Sequence, residues 1–250
     1  MKEKLTKENV KKVLEEFISM PIDSSNNVLE KFSLLPNAIY HNDGSKKNFV
    51  YIEGTREDKV LLVAHTDTVW DKYYEELDDC TQSIYEKNGV YYGTNPEFGI
   101  GADDRAGCAI LWLLKDMGHS LLIVDGEEYG QIGSKHIKRN YPDIYDKINN
   151  HSYIIQFDRR NGKDYKVYNL PVSQEFIDFI ENNTKYEDAG RFASTDIVVL
   201  CNEICGVNLS IGYYNEHHSD EHLVFDEWYN TLIIAYELLL KKQSKYPLNK

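Results

Sequence analysis

Three short segments constrain this chain more than anything else in it. Residues 60–64 and 121–124 are unbroken apolar runs, and residues 153–157 are interrupted only by Gln156. A strand with one wet face alternates apolar and polar side chains, so continuous runs of this length fit strands covered on both faces. Helical patterns alternate with them. Val10, Val13, Leu14, Phe17 and Ile18 form one stripe over residues 6–20, ended by Pro21. Further helices are expected at 27–35, 104–117, 134–140, 173–182 and 196–205, and a long last one from Asp226, as N-cap, through Leu240. Additional strands are expected at 48–53, 165–168 and 207–214, with a hairpin at 83–86 and 90–93 around Asn88-Gly89. This alternation predicts a three-layer α/β/α sandwich with a mostly parallel mixed central sheet. No Pro/Gly/Ser-rich linker, composition break or repeat interrupts it, so residues 1–250 are expected to form a single domain.

Charge narrows the partners. Forty-one acidic against 28 basic residues give a net charge of −13, which repels phosphate backbones and anionic membranes. Neither nucleic acid nor a membrane surface is an expected partner, whereas excess carboxylate suits divalent cations. The four cysteines, Cys80, Cys108, Cys201 and Cys205, form no CxxC pair and imply no disulfide framework. Cys201 and Cys205 are expected as buried thiols on one apolar helix. No apolar run reaches membrane-span length, and the charged N-terminus lacks an export-signal core. The expectation is a reduced, cytoplasmic protein; its oligomeric state is not legible.

The chemistry collects where the buried runs end. In open α/β sheets, ligands bind beyond the carboxyl ends of the strands. Residues 60–64 run into His65-Thr66-Asp67, 121–124 into Asp125-Gly126-Glu127-Glu128, 153–157 into Asp158-Arg159-Arg160, and 207–214 into Asn215-Glu216-His217-His218. Asp103-Asp104 adds a further pair ahead of a helix. About 0.6 His-x-Asp triplets are expected by chance, and the chain holds three, at His41, His65 and His218. Of these only His65 closes a buried apolar run. Imidazole and carboxylate converging on one rim make a mixed N/O site suited to Zn²⁺, with Co²⁺ or Mn²⁺ as alternatives. Without a cation the clustered carboxylates would repel one another.

These segments resemble the di-zinc exopeptidase clan, which covers single-domain zinc aminopeptidases and the zinc carboxypeptidase–deacylase enzymes. The resemblance lies in Ala64-His65-Thr66-Asp67-Thr68-Val69, Gly101-Ala102-Asp103-Asp104-Arg105-Ala106-Gly107, Asp125-Gly126-Glu127-Glu128-Tyr129-Gly130, Phe157-Asp158-Arg159-Arg160, and Tyr214-Asn215-Glu216-His217 with Glu221. It implies that His65 and Asp158 bind one metal ion, that Glu128 and His217 bind a second, and that Asp103 bridges them. His218 is the alternative to His217. Glu127 would be the general base, Asp67 would orient His65 from its other ring nitrogen, and Asp104 would hold the loop. The Asp103–Asp104 peptide would be cis. Ser194-Thr195-Asp196 also resembles a clan segment, although a plain helix N-cap explains it equally well. The other histidines, His41, His119, His136, His151 and His222, read as surface residues.

The clan implies two divalent metal ions and a metal-activated water. The implied reaction is peptide-bond hydrolysis by an aminopeptidase, with an N-acyl amino acid or dipeptide amidohydrolase as the alternative. A catalytically silent, metal-stabilised interaction domain is the remaining reading. Only 58 residues separate Asp158 from His217, which leaves no room for the dimerisation or lid domain inserted there in the deacylase branch.

Overall fold

The computed structural model describes residues 5–71 and 82–249; Cys80 lies outside them. In chain order the elements are α1 (Lys7–Ile18), α2 (Asn26–Ser33), β1 (Ala38–His41), β2 (Phe49–Ile52), β3 (Leu61–His65), β4 (Ile84–Lys87), β5 (Val90–Gly93), α3 (Ala102–Leu114) and β6 (Ser120–Val124). There follow α4 (Ile132–Asn140), α5 (Pro142–Asn149), β7 (Ile154–Arg159), β8 (Asp164–Lys166), α6 (Gln174–Thr184), β9 (Glu187–Asp188), α7 (Asp196–Leu200), β10 (Gly206–Ser210), β11 (Tyr213–Tyr214), β12 (His222–Val224) and α8 (Phe225–Leu240).

Eight strands form the main sheet in the order β1-β2-β6-β3-β7-β10-β8-β9. Its centre, β6-β3-β7-β10, is parallel, while β1, β2 and β8 pair antiparallel at the flanks. The apolar runs supply that centre: β3 and β6 are buried at every residue. Two apolar clusters lie on the two faces. One gathers α1, α2, α3, α6 and α8 around Phe17, Leu111, Ile155 and Trp228; the other gathers α4, α5 and α7 around Tyr51, Val63, Ile148 and Leu200. Because β3, β6 and β7 run parallel, their carboxyl ends share one rim of the sheet.

Several elements differ from the sequence expectation. The strand expected at 207–214 is two. Gly212 takes a left-handed backbone, φ +83°, and a Cβ there would lie 2.9 Å from both the Trp228 nitrogen and the Val224 carbonyl. The chain leaves β10, and β11 joins a separate four-stranded sheet, β11-β12-β5-β4. The helix expected at 196–205 stops at Leu200, because Asn149 Oδ1 captures the amides of Asn202 and Glu203 at 2.9 and 3.0 Å. Cys201 and Cys205 are buried, but only as neighbours of that turn and not on one helix face. At the last helix, Val224 is the cap and Asp226 sits in the first turn, paired with Lys7 at 2.6 Å.

Two histidines expected at the surface are buried. His119 accepts the Val60 amide at Nδ1 and donates from Nε2 to the Leu239 carbonyl, each at 3.0 Å. His151 donates from Nδ1 to the Lys147 carbonyl at 2.8 Å and accepts the Ser120 hydroxyl at Nε2, 2.7 Å away. Each ring is therefore bonded as neutral imidazole, and burial lowers both pKa values, that of His151 to about 4. A proton then binds the unfolded chain below about pH 6.5 but binds the folded one only near pH 4. His151 should thus contribute stability in full above about pH 6.5 and lose it as the pH falls toward 4, up to about 3 kcal/mol. Urea midpoints measured at pH 7.5 and 5 should fall more steeply for the wild type than for His151→Gln. Equal slopes would contradict this assignment.

Candidate metal centre

Each functional side chain is delivered by an element end. His65 is the last residue of β3, Asp158 is the fifth residue of β7, and Glu127 and Glu128 follow β6 after the Asp125-Gly126 turn. Asp103 is the second residue of α3 and is joined to Asp104 by a cis peptide. His217 comes from the β11–β12 loop, with a left-handed φ of +65°.

These residues meet as two donor groups that share one carboxylate. His65 Nε2 lies 3.1 Å from Asp103 Oδ1 and 3.4 Å from Asp158 Oδ1. His217 Nε2 lies 3.2 Å from Asp103 Oδ2 and 3.0 Å from Glu128. Asp103 turns one oxygen to each histidine. In each group, His65–Asp103–Asp158 and Asp103–Glu128–His217, the ligand-type atoms lie within 4.8 Å of one another. His218 is excluded from both: it is exposed, with Nδ1 against the Glu216 carbonyl at 2.8 Å. His222 is also elsewhere, stacked between Tyr92 and Tyr214.

A scaffold of buried acceptors holds the cluster in place. Glu221 accepts the amides of Gly101 and Asp103 at 2.8 and 2.9 Å. Asp104 faces inward and accepts the amides of His65 and Gly107, which ties the Asp103 loop to β3. At Asp67 the main-chain carbonyl, more than the carboxylate expected to orient His65, lies closest to the ring. The ring Nδ1 lies 3.0 Å from the Asp67 carbonyl oxygen and 3.5 Å from its carboxylate, while that carboxylate accepts the amides of Gly126, Glu127 and Glu128 at 2.8, 3.1 and 3.2 Å. It therefore fixes the loop carrying both glutamates.

The network around Asp158 was not legible as a site from the sequence. Asp158 Oδ2 accepts from Gln156 Nε2 at 2.9 Å and from the Thr195 hydroxyl at 2.8 Å; Oδ1 receives the Tyr213 hydroxyl at 3.3 Å. Asn208 donates to the Asp158 carbonyl at 2.7 Å. Thr195 thus sits at the N-cap position of α7 without using its side chain as a cap. Asp196 accepts from Ser134 at 2.6 Å and meets the Gln156 amide nitrogen only at 3.5 Å. The available signal was Gln156, a polar residue in the middle of a buried run, since a buried amide must find partners.

The electrostatics are those of a crowded acidic pocket. Burial, then the charge of Asp158, pushes Glu127 well above the usual carboxylate range. Burial and Asp103 raise Glu128 to about 7, and burial raises Asp158. Hydrogen bonds to Asp103 and Glu128 push His217 up to about 11. Burial opposes charge on His65, but Asp158, Asp103 and Asp67 together hold it well above its ordinary value. The carboxylates around them thus favour the protonated form of both imidazoles. Divalent ions among the same oxygens would relieve this repulsion and leave the rings neutral, so imidazole and carboxylate donors, clustered in this way, fit such ions. Beside the two groups opens a cleft of 160 Å³ lined by Glu127, Arg160, Tyr168, Ser194, Thr195 and Glu216 among others.

No family model matches the chain, and no curated protein matches it in sequence. Solved structures do match in fold. Aminopeptidase PepT from Bacillus cereus superposes with a TM-score of 0.69 at 13% identity, covering 94% of this chain and 99% of that one. A tripeptidase from Staphylococcus aureus gives 0.65 at 12% identity, with 94% and 99% covered. The TET1 peptidase of Pyrococcus horikoshii gives 0.60 at 14% identity, with 92% and 98% covered. The chain has the fold of these peptidases.

Proposed function

We propose that this protein is a metal-dependent exopeptidase of the zinc-exopeptidase clan, built as one catalytic domain, that removes N-terminal residues from peptides. The observation that carries the reading is the pair of donor groups sharing Asp103, with Glu127 in the adjoining cleft and outside both groups. His65 and Asp158 would hold one divalent ion, Glu128 and His217 the other, and Asp103 both; Zn²⁺ suits the donors best, with Co²⁺ or Mn²⁺ able to replace it. When bound, such ions supply Lewis acidity, polarising a scissile carbonyl and acidifying a water.

The chain's own residues do the rest. Glu127 accepts the proton of the attacking water and returns it to the leaving amine. Its position is set by Asp67, which anchors the amides of residues 126–128, so the carboxylate is pre-oriented before substrate arrives. Thr195 and Gln156 donate to Asp158 Oδ2, and Tyr213 donates to Oδ1, the oxygen that also faces His65, which fixes the orientation of that carboxylate.

Substrates with free and blocked amines test the reading. Hydrolysis of aminoacyl-chromogenic compounds and short peptides, with N-acetylated versions refractory, is the expected result. Cleavage confined to N-acyl amino acids would make the protein an amidohydrolase of the same clan. The two adjacent histidines provide a second check. His217→Ala should lose about one equivalent of metal and most activity, because its Nε2 belongs to a donor group, whereas His218→Ala should stay near wild type in both. Loss confined to His218→Ala would reverse the assignment.

A further inference from the structure

Two guanidinium groups line the cleft, and they differ in how far they are committed. Arg159 is mostly buried and held by two bonds to Asp164, at 2.7 and 3.3 Å. Arg160 follows the end of β7, and its side chain is 57% exposed. Strand alternation would place it on the same side of the chain as Asp158 and Gln156, and it does line the cleft beside the donor groups. Its one bond among the described residues runs from Nη1 to Glu216 Oε1, at 2.8 Å. That bond steadies the head group at the lip of the cleft, while Nε and Nη2 make no bond among the described residues. Arg160 and Glu216 also line a second, outer hollow of 480 Å³, with Asn161, Tyr214, Asn215 and His218. The two spaces therefore adjoin at this arginine, and the outer one is large enough for a peptide residue or two.

A guanidinium in this setting has a specific chemical use. Deeper in the cleft the acidic side chains are committed to the donor groups and to Glu127's role, and a negatively charged part of a substrate gains nothing from them. A planar fork of donors at the rim offers that part a place outside the acidic cluster, in the bidentate geometry that carboxylates accept best. We propose that Arg160 recognises a carboxylate of the substrate and so selects among peptides. The group is the C-terminus in a di- or tripeptide, or an acidic side chain in a longer one. The identity of the ligand as a peptide rests on the exopeptidase reading; the carboxylate preference of Arg160 rests on the geometry alone.

The test pairs binding with hydrolysis on the metal-loaded, full-length protein. Four probes are compared: Leu-Gly, Leu-Gly amide, Leu-Asp amide and Leu-Asn amide. Wild type should favour a carboxylate-bearing probe over its neutral counterpart by about ten- to a hundredfold, the worth of a charge-assisted hydrogen-bonded pair. The preference should appear in KM and in calorimetric affinity and not in kcat. Leu-Gly over its amide identifies the C-terminus as the recognised group, and Leu-Asp amide over Leu-Asn amide identifies a side chain. In Arg160→Gln, which keeps a donor on an exposed position but removes the charge, the preference should vanish while metal content and kcat stay near wild type. Hydrolysis that treats acid and neutral probes alike, or a preference unchanged in Arg160→Gln, overturns the proposal and leaves the exopeptidase reading intact. Carboxylate-selective binding without hydrolysis does the reverse. Neither binding nor hydrolysis of any probe sinks both.

Discussion

Glu127→Gln is expected to lose about 10²–10⁴ in kcat, the usual worth of a general base, or roughly 3–5 kcal/mol of barrier. The substitution keeps the size of the side chain but removes its capacity to take a proton. Glu127 belongs to neither donor group, so metal content and thermal midpoint should remain those of the wild type. Its neighbour separates the two roles. Glu128 meets His217 at 3.0 Å inside a donor group, and a neutral amide is a far poorer ligand than a carboxylate. Glu128→Gln should therefore lose metal along with activity. Metal stoichiometry and kcat for both variants decide the matter. If Glu127→Gln sheds a metal ion and Glu128→Gln keeps both, the two residues have exchanged roles.

Asp103→Ala is expected to have the largest effect on metal content of any single change. Its two oxygens face two different histidines, Oδ1 toward His65 and Oδ2 toward His217. Removing it deletes a donor from both groups at once and leaves two buried or half-buried imidazoles without their shared partner. The variant should bind neither ion tightly and show no measurable turnover, while His217→Ala still holds one. Because the Asp103 amide is anchored by Glu221, Asp103→Asn, which keeps backbone and shape, should reproduce the loss of metal while folding normally. Two tightly bound equivalents in Asp103→Asn would show that the carboxylate is not shared.

Legibility in the sequence tracks how local each signal is. Runs such as 121–124 are unbroken because β6 is covered on both faces, and the side chains that end them must be polar to reach the rim; both facts are local in sequence. His65, Glu127, Glu128 and Asp158 were readable for that reason. The elements that escaped carry little local signal. β1 is only partly buried at an edge, β9 is two exposed residues, and α5 has only Ile144, Ile148 and Asn149 buried. Asn208 and Tyr213 escaped for a different reason. Their contacts with Asp158 span 50 and 55 residues, and only the parallel pairing of β7 with β10 and the turn at Gly212 bring them together. The choice between His217 and His218 was likewise open in the sequence, because adjacent histidines differ only in backbone direction.

The most direct measurement is stepwise reconstitution of protein stripped by a chelator, with peptide hydrolysis read at each added equivalent of Zn²⁺, Co²⁺ or Mn²⁺. The stripped protein should be inactive, hydrolysis of a free-amine peptide should return as the sites fill, and binding should saturate at about two equivalents, one for each donor group that shares Asp103. Binding should weaken as the pH falls, because the ions must displace the protons that His65 and His217 hold firmly in the stripped protein. Full hydrolysis by the metal-free protein would contradict the account.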